Sequence, residues 1–442
     1  MLSEFKKHID ASLPFLKEGK LLIAISGGLD SVVLTHLCKS ANLNIALAHC
    51  NFKLRGEESD ADEDFVLQLS EDLNLEVFIE YFDTEKYASK HKLSIQMAAR
   101  ELRYHWFDTM LNDLDFDCLL TAHHADDNLE TFLINLTRGS GLSGLTGIPE
   151  VNNAVVRPLL PFSRAQLEAY AKQNGLQWRE DSSNVSDKYL RNKLRHHIIP
   201  QLKEIAPELL SNFNTTISNL KDASDIVDDG LDALSEKAIS EIDGHQIKFK
   251  ISEFERFNNP KAYLYEMFKG YGFTEWNDVV DLLTAQSGKQ IFSDSYRLLK
   301  DREHLILTDK ANDEEADNAK KILISDDVRS IETPFGVLLF DEADSVIKSS
   351  ETTVFVDKDL LDFPLHIRKW KEGDMFYPLG MKGKKKLSKY FKDEKLSLVA
   401  KEKSRLLVSD GKIVWVIGMR ADDRFKVTNY TTNILKIQLI AT

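Results

Sequence analysis

Three groups of residues in this chain have the types and spacing of a reaction centre. The first is Ser26-Gly27-Gly28-Leu29-Asp30-Ser31, set between the apolar run Leu21–Ile25 and a helical pattern over Ser31–Ser40. Two glycines at a strand-to-helix junction leave backbone N–H groups uncovered, and these form a cradle for an anion such as phosphate. Asp30 conflicts with that use, because a carboxylate beside a polyphosphate repels it. A shared hard cation such as Mg2+ removes the conflict by taking carboxylate and phosphate oxygens together. The alternative is a plain helix cap with glycines for a tight turn. This turn fits neither G-x-x-x-x-G-K-S/T nor G-x-G-x-x-G.

The second group is Asp126, Asp127 and Glu130, directly after His123 and His124. On a helix, Asp126 and Glu130 are an i,i+4 pair and Asp127 and Glu130 an i,i+3 pair. Acids favour a helix start by about 0.3–1 kcal/mol each, but three on adjoining faces exceed that need. Such carboxylates suit holding a cation such as Mg2+ or accepting a proton as a general base. A transition-metal site with the histidines is the weaker alternative, since adjacent histidines on a helix point apart. The third group is Arg103 with Arg100. Ile95, Ala99, Leu102, Trp106 and Met110 form one stripe of a helix over Ser94–Leu114, with Arg103 at its edge. There an arginine buries its stem and aims its donors at a phosphate, or serves packing alone. Arg100 points farther round, towards solvent or RNA.

Smaller features accompany these. His49 and Asn51 share one face at the end of a strand, in reach of a nucleotide or as satisfied buried polar groups. Gly139, Gly141, Gly144 and Gly147 make a permissive loop, suited to close approach of a ligand or serving as a plain connector. Arg191, Lys193 and Arg195, with two histidines and Tyr189, suit phosphate contacts.

The elements that must carry these groups alternate. Strand-like runs at Leu21–Ile25, Ile45–Ala48, Val77–Phe82, Cys118–Ala122 and Val155–Leu160 are interleaved with helical patterns at Ser31–Ser40, Asp60–Leu73, Ser94–Leu114 and Asp126–Thr137. The fold class expected is α/β, an N-terminal doubly wound parallel sheet covered on both faces. Ligands in such folds sit at the carboxyl ends of the strands, where the glycine turn lies. From Pro207 onward Leu209, Phe213, Ile217, Leu220, Ala223, Val227, Leu231 and Leu234 recur at helical spacing. At roughly 1.5 Å per residue that helix spans about 40 Å, enough to join two domains. A mixed helical and strand region follows. The polar run 310–321 reads as a linker, and strand-like Val337–Phe340 and Lys412–Ile417 flank a basic stretch in a small α+β C-terminal domain. The division expected is 1–206, 207–310 and 311–442.

Composition narrows the function. With 442 residues, 43% hydrophobic and 29% charged, the chain is expected to be soluble and multidomain. Leu21–Ile25 is too short for a signal core or membrane span. Three cysteines with no Cys-x-x-Cys pair argue against disulfides, zinc or thiol relay. A cytoplasmic location away from membranes is expected. A net charge of −14 seems to exclude nucleic acid, yet His366–Arg405 carries thirteen Lys or Arg against five Asp or Glu. A local field acts within a Debye length of roughly 10 Å, so the patch matters more than the sum. Trp370, Phe376, Tyr377, Tyr390 and Phe391 interleave there with Lys382, Lys384, Lys385, Lys386 and Lys389, the composition of an RNA surface. A solvated basic face is the alternative.

The turn S-G-G-x-D-S resembles the PP-loop of ATP pyrophosphatases. Further stretches follow in order: AHCNFKLRGEESD (48–60), AARELRY (98–104), TAHHADDNLET (121–131), TRGSGLSGLTGIP (137–149), RPLL (157–160) and EDSSNVSDKYLRNKLRH (180–196). Together with WKEGDMFYPLGMKGKKKLSKYF (370–391), they are similar to the tRNA(Ile)-lysidine synthetase family. The resemblance covers the N-terminal domain and the tail, and the middle region matches only by position and length. It implies adenylation, by ATP, of the first anticodon cytidine of an isoleucine tRNA with the CAU anticodon. Displacement of AMP by the ε-amine of L-lysine then gives lysidine, which pairs with A and switches the tRNA from Met to Ile. By resemblance, Ser26, Gly27, Gly28, Leu29, Asp30, Ser31, His49 and Asn51 bind ATP, with Asp30 on Mg2+. Asp30, Arg103, Asp127 and Glu130 act in catalysis, and the last two hold lysine. Arg191, Lys193, Arg195, Lys384, Lys385 and Lys386 bind tRNA, and a homodimer is left open. Among other PP-loop enzymes, a tRNA thiolase would need paired cysteines, and GMP or NAD synthetases would need no basic tail. A catalytically dead RNA-binding protein would have no use for all four catalytic positions.

Overall fold

The computed structural model describes residues 1–180, 190–244, 246–310, 322–347 and 349–440. Tyr189 and all of the expected linker except Lys310 lie outside the described residues. The chain divides into two compact units, Met1–Asp228 and Asp229–Thr442.

The first unit opens with α1 (Leu2–Ser12). It continues through β1 (Lys20–Ala24), α2 (Leu29–Ser40), β2 (Asn44–Asn51), α3 (Glu57–Leu73) and β3 (Val77–Tyr81). After α4 (Thr84–His91) come α5 (Ile95–Asp113), β4 (Cys118–Leu120), α6 (Ala125–Thr137) and α7 (Leu142–Leu145). The hairpin β5 (Val151–Asn152) and β6 (Val155–Val156) and then α8 (Arg164–Gln173) follow. The sheet order is β3-β2-β1-β4-β6-β5, parallel except for the hairpin at the edge. Successive strand side chains face opposite ways, and here both ways lead into helices. Leu21 and Ile23 pack with Phe5, Val33, Val66 and Leu167, while Leu22 meets Phe107 and Met110 of α5. That two-sided burial, about 1.5–3 kcal/mol per large apolar side chain, is why β1 is apolar throughout.

Two expectations are corrected here. The strand Val155–Leu160 shrinks to β6. Pro158 has no amide hydrogen for a sheet ladder, and Leu160 and Phe162 instead close turns onto Arg157 and Leu159. The apolar stripe of α5 also shifts. Ala98, Ala99, Phe107 and Met110 are its buried residues, and Ile95 is exposed. With roughly 100° per residue, Arg103 falls between Met110 and Phe107 around the helix. Those two cover the sheet, whereas Arg103, one turn earlier, overlooks the cavity beyond the strand ends.

Farther along the chain, α9 (Leu190–Lys193) runs through a π turn at Leu194–Ile198 into α10 (Ile199–Ile205) and then α11 (Leu209–Ala238). Phe213 and Ile217 pack with Leu129, Leu194 and Ile199 in the first unit, and Leu234 and Ala238 are buried in the second. Ala223 and Val227, expected on the buried face, are exposed between them.

In the second unit β7 (Ile239–Asp243), β8 (Gln246–Lys250), β9 (Gln290–Phe292), β10 (Tyr296–Asp301) and β11 (His304–Asp309) form an antiparallel sheet in the order β7-β8-β11-β10-β9. Helices α12 (Ile251–Glu255), α13 (Pro260–Phe268) and α14 (Trp276–Asp281) pack on it through Phe254, Leu264, Phe268 and Val279. The region from 322 builds two four-stranded antiparallel sheets around fully buried Trp415, Leu338 and Leu407. Leu299 and Ile306 also pack with Val399, and Arg297 reaches Glu402 at 3.0 Å.

The basic stretch differs from its expected surface. Phe376, Tyr390 and Phe391 are core residues, and Trp370 packs edge-on against Phe391. Arg424 covers the ring of half-buried Tyr377, 4.8 Å from its centroid. The aromatics hold the domain together, so the stacking half of the RNA-surface composition is used internally. Lys382, Lys384, Lys386 and Lys389 remain exposed, and Lys385 pairs with Asp393 at 2.8 Å. Among the described residues, no helix is long and apolar enough to cross a membrane.

Candidate active site

The turn after β1 is braced from within. Ser31 donates its hydroxyl to the Gly28 carbonyl at 3.0 Å, and the Ser26 amide reaches Ser31 Oγ at 3.3 Å. Gly27 has φ +80°, a conformation that favours glycine, and a Cβ there would press on the Phe65 ring of α3 at 3.3 Å. Gly28 is the N-cap of α2 and no side chain caps that helix, which leaves its first amides open to a ligand. They face a cavity of about 660 Å3 whose walls include Ser26, Gly28, Asp30, Ser31, His49, Asn51, Arg103 and Asp127. Leu29 is different: its side chain is buried in the core.

Asp30 lies in the first turn of α2. Burial alone would push its carboxyl upward, but His124 and then Arg164 and Arg195 outweigh it and hold it below its ordinary value. Its Oδ2 is 3.6 Å from His124 Nε2 and 3.6 Å from Arg164 Nη1. Its Oδ1 is buried with no hydrogen-bond partner among the described residues. An unpartnered carboxylate oxygen on a cavity wall is costly unless something cationic meets it. No group of three or more His, Cys, Asp or Glu forms a metal cage among the described residues.

His124 is the N-cap of α6 and is nearly inaccessible, at 2% exposure. Its Nε2 stands between Asp30 and Asp127, 3.4 Å from Asp127 Oδ2. Burial opposes its charge, but Asp30, Asp127 and Asp126 raise its pKa above the ordinary value. His123 behaves oppositely: burial, helped by Arg157 and Arg191, drives it down to about 4 against the pull of Asp127. The three acids of α6 separate. Asp126 accepts from the Arg164 amide at 2.8 Å and from Lys203, which ties α6 to α8 and α10. Asp127 accepts from the His124 amide at 3.1 Å. Glu130, 1% exposed, receives Arg195 through Nε at 2.6 Å and Nη2 at 2.9 Å. The same Nη2 is 3.1 Å from Asp127, and Arg191 Nε lies 3.6 Å from Glu130. Burial raises Glu130 above its usual value despite Arg195.

Arg103 stands over the Phe52 ring, 5.2 Å from its centroid, and Arg100 over Tyr104 at 4.7 Å. Arg100 is exposed and lines the cavity too. The His49 ring meets the Ile25 carbonyl through Nδ1 at 3.0 Å, and burial lowers its pKa. The Asn51 amide donates to Asp60 and Glu63 and accepts from the Lys53 amide, so it is internally satisfied. Arg191 and Arg195 reach the carboxylates, whereas Lys193 is exposed and does not line the cavity. Lys384, Lys385 and Lys386 belong to the second unit. Sequence reading missed Arg55, Asp62 and Arg164 on the wall. For Arg164 a signal existed: Ser163 and Gln166 form a capping box, which puts Arg164 at the start of a helix.

The glycine loop after α6 is shaped by packing. At Gly147, φ is +76° and a Cβ would sit 2.2 Å from Asn128 Oδ1, the atom that accepts the Ile148 amide at 2.6 Å. Gly147→Ala is expected to cost at least about 1–3 kcal/mol. A melting midpoint equal to that of the wild type would refute this.

Comparison with known proteins adds family relationships. A PP-loop domain matches residues 1–202, a TilS substrate binding domain 241–310 and a TilS substrate C-terminal domain 365–439. A protein of Parabacteroides distasonis named tRNA(Ile)-lysidine synthase is 39% identical over 446 residues, covering 100% of both chains. One of Bacteroides thetaiotaomicron with the same name is 37% identical, covering 98% of each. Among solved structures, a U34-tRNA thiolase from Methanococcus maripaludis with its iron–sulfur cluster superposes with a TM-score of 0.42 at 19% identity, over 50% of this chain and 78% of that one.

Proposed function

The chain belongs to the tRNA(Ile)-lysidine synthase family, and from that premise we propose that it ligates L-lysine to C2 of the first anticodon cytidine of tRNA(Ile), with ATP as co-substrate. The observation that carries the reading is the meeting of the glycine turn, Asp30, Arg103 and Asp127 on one cavity at the carboxyl ends of the parallel strands. The open amides of α2 receive phosphate, and Arg103 and Arg164 bring positive charge to the same wall. Asp30 Oδ1 fits a hard cation, and Mg2+ there would neutralise charge on the triphosphate oxygens.

In the first step the cytidine O2 attacks the α-phosphorus, and the bond to the bridging oxygen breaks with release of pyrophosphate. AMP now occupies O2, which turns a poor leaving group into a good one. In the second step the neutral ε-amine of lysine attacks C2, the C2–O bond breaks and AMP departs. Asp127, on the cavity wall, holds the lysine and takes up its proton. Glu130 is 1% exposed and lies behind that wall, so it takes part through Arg195, which it holds beside Asp127, rather than by meeting lysine itself. Contacts to tRNA are assigned separately to Arg191, Lys193 and Arg195 in the first unit and to Lys384, Lys385 and Lys386 in the second. The reading assigns 1–206 to catalysis, 207–310 and 311–442 to tRNA, and a cytoplasmic location to the enzyme; it is compatible with a homodimer.

The test is mass analysis of the anticodon base after incubation with ATP, L-lysine and a tRNA(Ile) bearing CAU. Lysidine is expected only when both small substrates are present, together with AMP and pyrophosphate. Product without lysine, or ADP and phosphate as by-products, would overturn the reading. For the tail, replacing Lys384, Lys385 and Lys386 with Gln is expected to weaken tRNA binding and flatten its salt dependence. Each lost phosphate contact lowers the log–log slope by on the order of 0.7–0.9. An unchanged slope would leave the patch a solvated face.

A further inference from the structure

We propose that Asp62 is a positioning residue for the nucleotide cradle: acting through Arg179, it holds the Gly27–Gly28 peptide with its amide turned to the cavity. The inference rests on the ATP reading above and adds a residue that the glycine motif does not contain. Asp62 lies in α3, is 8% exposed, and receives guanidinium groups from the loop just before α3 and from a segment distant in sequence. Arg55, in the loop after β2, reaches Oδ2 through Nη2 at 2.8 Å. Arg179, beyond α8 and 117 residues away in sequence, donates Nε to Oδ1. The Arg179 backbone amide in turn donates to the Gly27 carbonyl at 2.9 Å.

A trans peptide is planar, with its N–H opposed to its C=O. Pinning the Gly27 carbonyl on the Arg179 side therefore turns the Gly28 amide the other way, towards Ser26 Oγ at 3.4 Å and the cavity that both residues line. Glycine has the broadest backbone freedom, and the serine bonds within the turn hold the Gly28 carbonyl and meet the Gly28 amide only at 3.4 Å, so the bond to the Gly27 carbonyl comes from outside the turn. Phe65, Val66 and the Asp62 carbonyl of the same helix also lie close to Gly27, 3.3, 3.7 and 3.8 Å from where a Cβ would stand. Asp62 thus joins α3, the Arg55 loop and the Arg179 segment around one peptide plane.

The test is ATP binding and steady-state kinetics of the full chain, with Mg2+ present, for Asp62→Ala, Asp62→Asn, Asp62→Glu, Arg179→Ala and the Asp62→Ala/Arg179→Ala double variant. Asp62→Ala is expected to raise KM for ATP about tenfold while KM for lysine stays within twofold. Asp62→Glu, which keeps the carboxylate, should recover most of the loss. The double variant should bind ATP no more weakly than Asp62→Ala, because the two act in series. If Asp62→Ala does not fold, Asp62→Asn and Arg179→Ala read the same KM split. Equal loss for ATP and lysine, multiplying effects in the double variant, or ATP binding by Asp62→Ala equal to wild type each overturns the inference alone. A wild-type protein that binds no ATP would instead overturn the nucleotide reading and this inference with it.

Discussion

Asp30→Ala is expected to lower the rate of AMP formation on the order of 10^3-fold, equivalent to about 4 kcal/mol of transition-state stabilisation. The carboxylate carries a buried, unpartnered Oδ1 beside the cavity that Asp30 lines and balances His124 and Arg164 through Oδ2. Its removal leaves the phosphate cradle without an anionic anchor for a cation. It also takes from His124 one of the three carboxylates that sustain its charge. The fold should survive, because Asp30 makes only long ionic contacts of 3.6 Å and no core packing. The measurement is pyrophosphate release with tRNA present, alongside a thermal melt. AMP formation at the wild-type rate would remove Asp30 from the reaction.

Glu130→Gln is expected to affect stability and lysine use together. It leaves Arg195, with a 28% exposed side chain, facing Asp127 alone, and breaking a buried ion pair from one side costs roughly 3–5 kcal/mol. KM for lysine should rise by an order of magnitude or more while ATP binding changes little, because Glu130 lies behind the wall rather than beside the glycine turn. The two effects are separable. Pairing Glu130→Gln with Arg195→Met removes both charges, and apolar replacement of a buried pair is often neutral or stabilising. The double variant should therefore regain melting temperature without regaining lysine affinity. Recovery of both would make Glu130 a purely structural partner of Arg195, and an undiminished melt of the single variant would refute the stability argument.

Gly27, Gly28 and Asp30 lie within four residues, and Asp126, Asp127 and Glu130 within five, so helix and turn geometry placed them before any packing was known. The same holds for the alternation of apolar strands and helices, because each strand had to be hydrophobic on both faces to sit in a covered parallel sheet. Contacts between segments distant in sequence were not legible. The Asp62–Arg179 and Glu130–Arg195 pairs join residues 117 and 65 positions apart, and no local periodicity encodes them. Periodicity gives the angle of a side chain around its helix but not how far the helix projects past the sheet. That is why Arg103 faces a cavity, Phe107 lies between that cavity and the core, and Met110, on a neighbouring angle, is core. The lysine–aromatic interleaving of the tail was ambiguous for the same reason: composition counts Phe376, Tyr390 and Phe391, and only the closed fold decides that they are core.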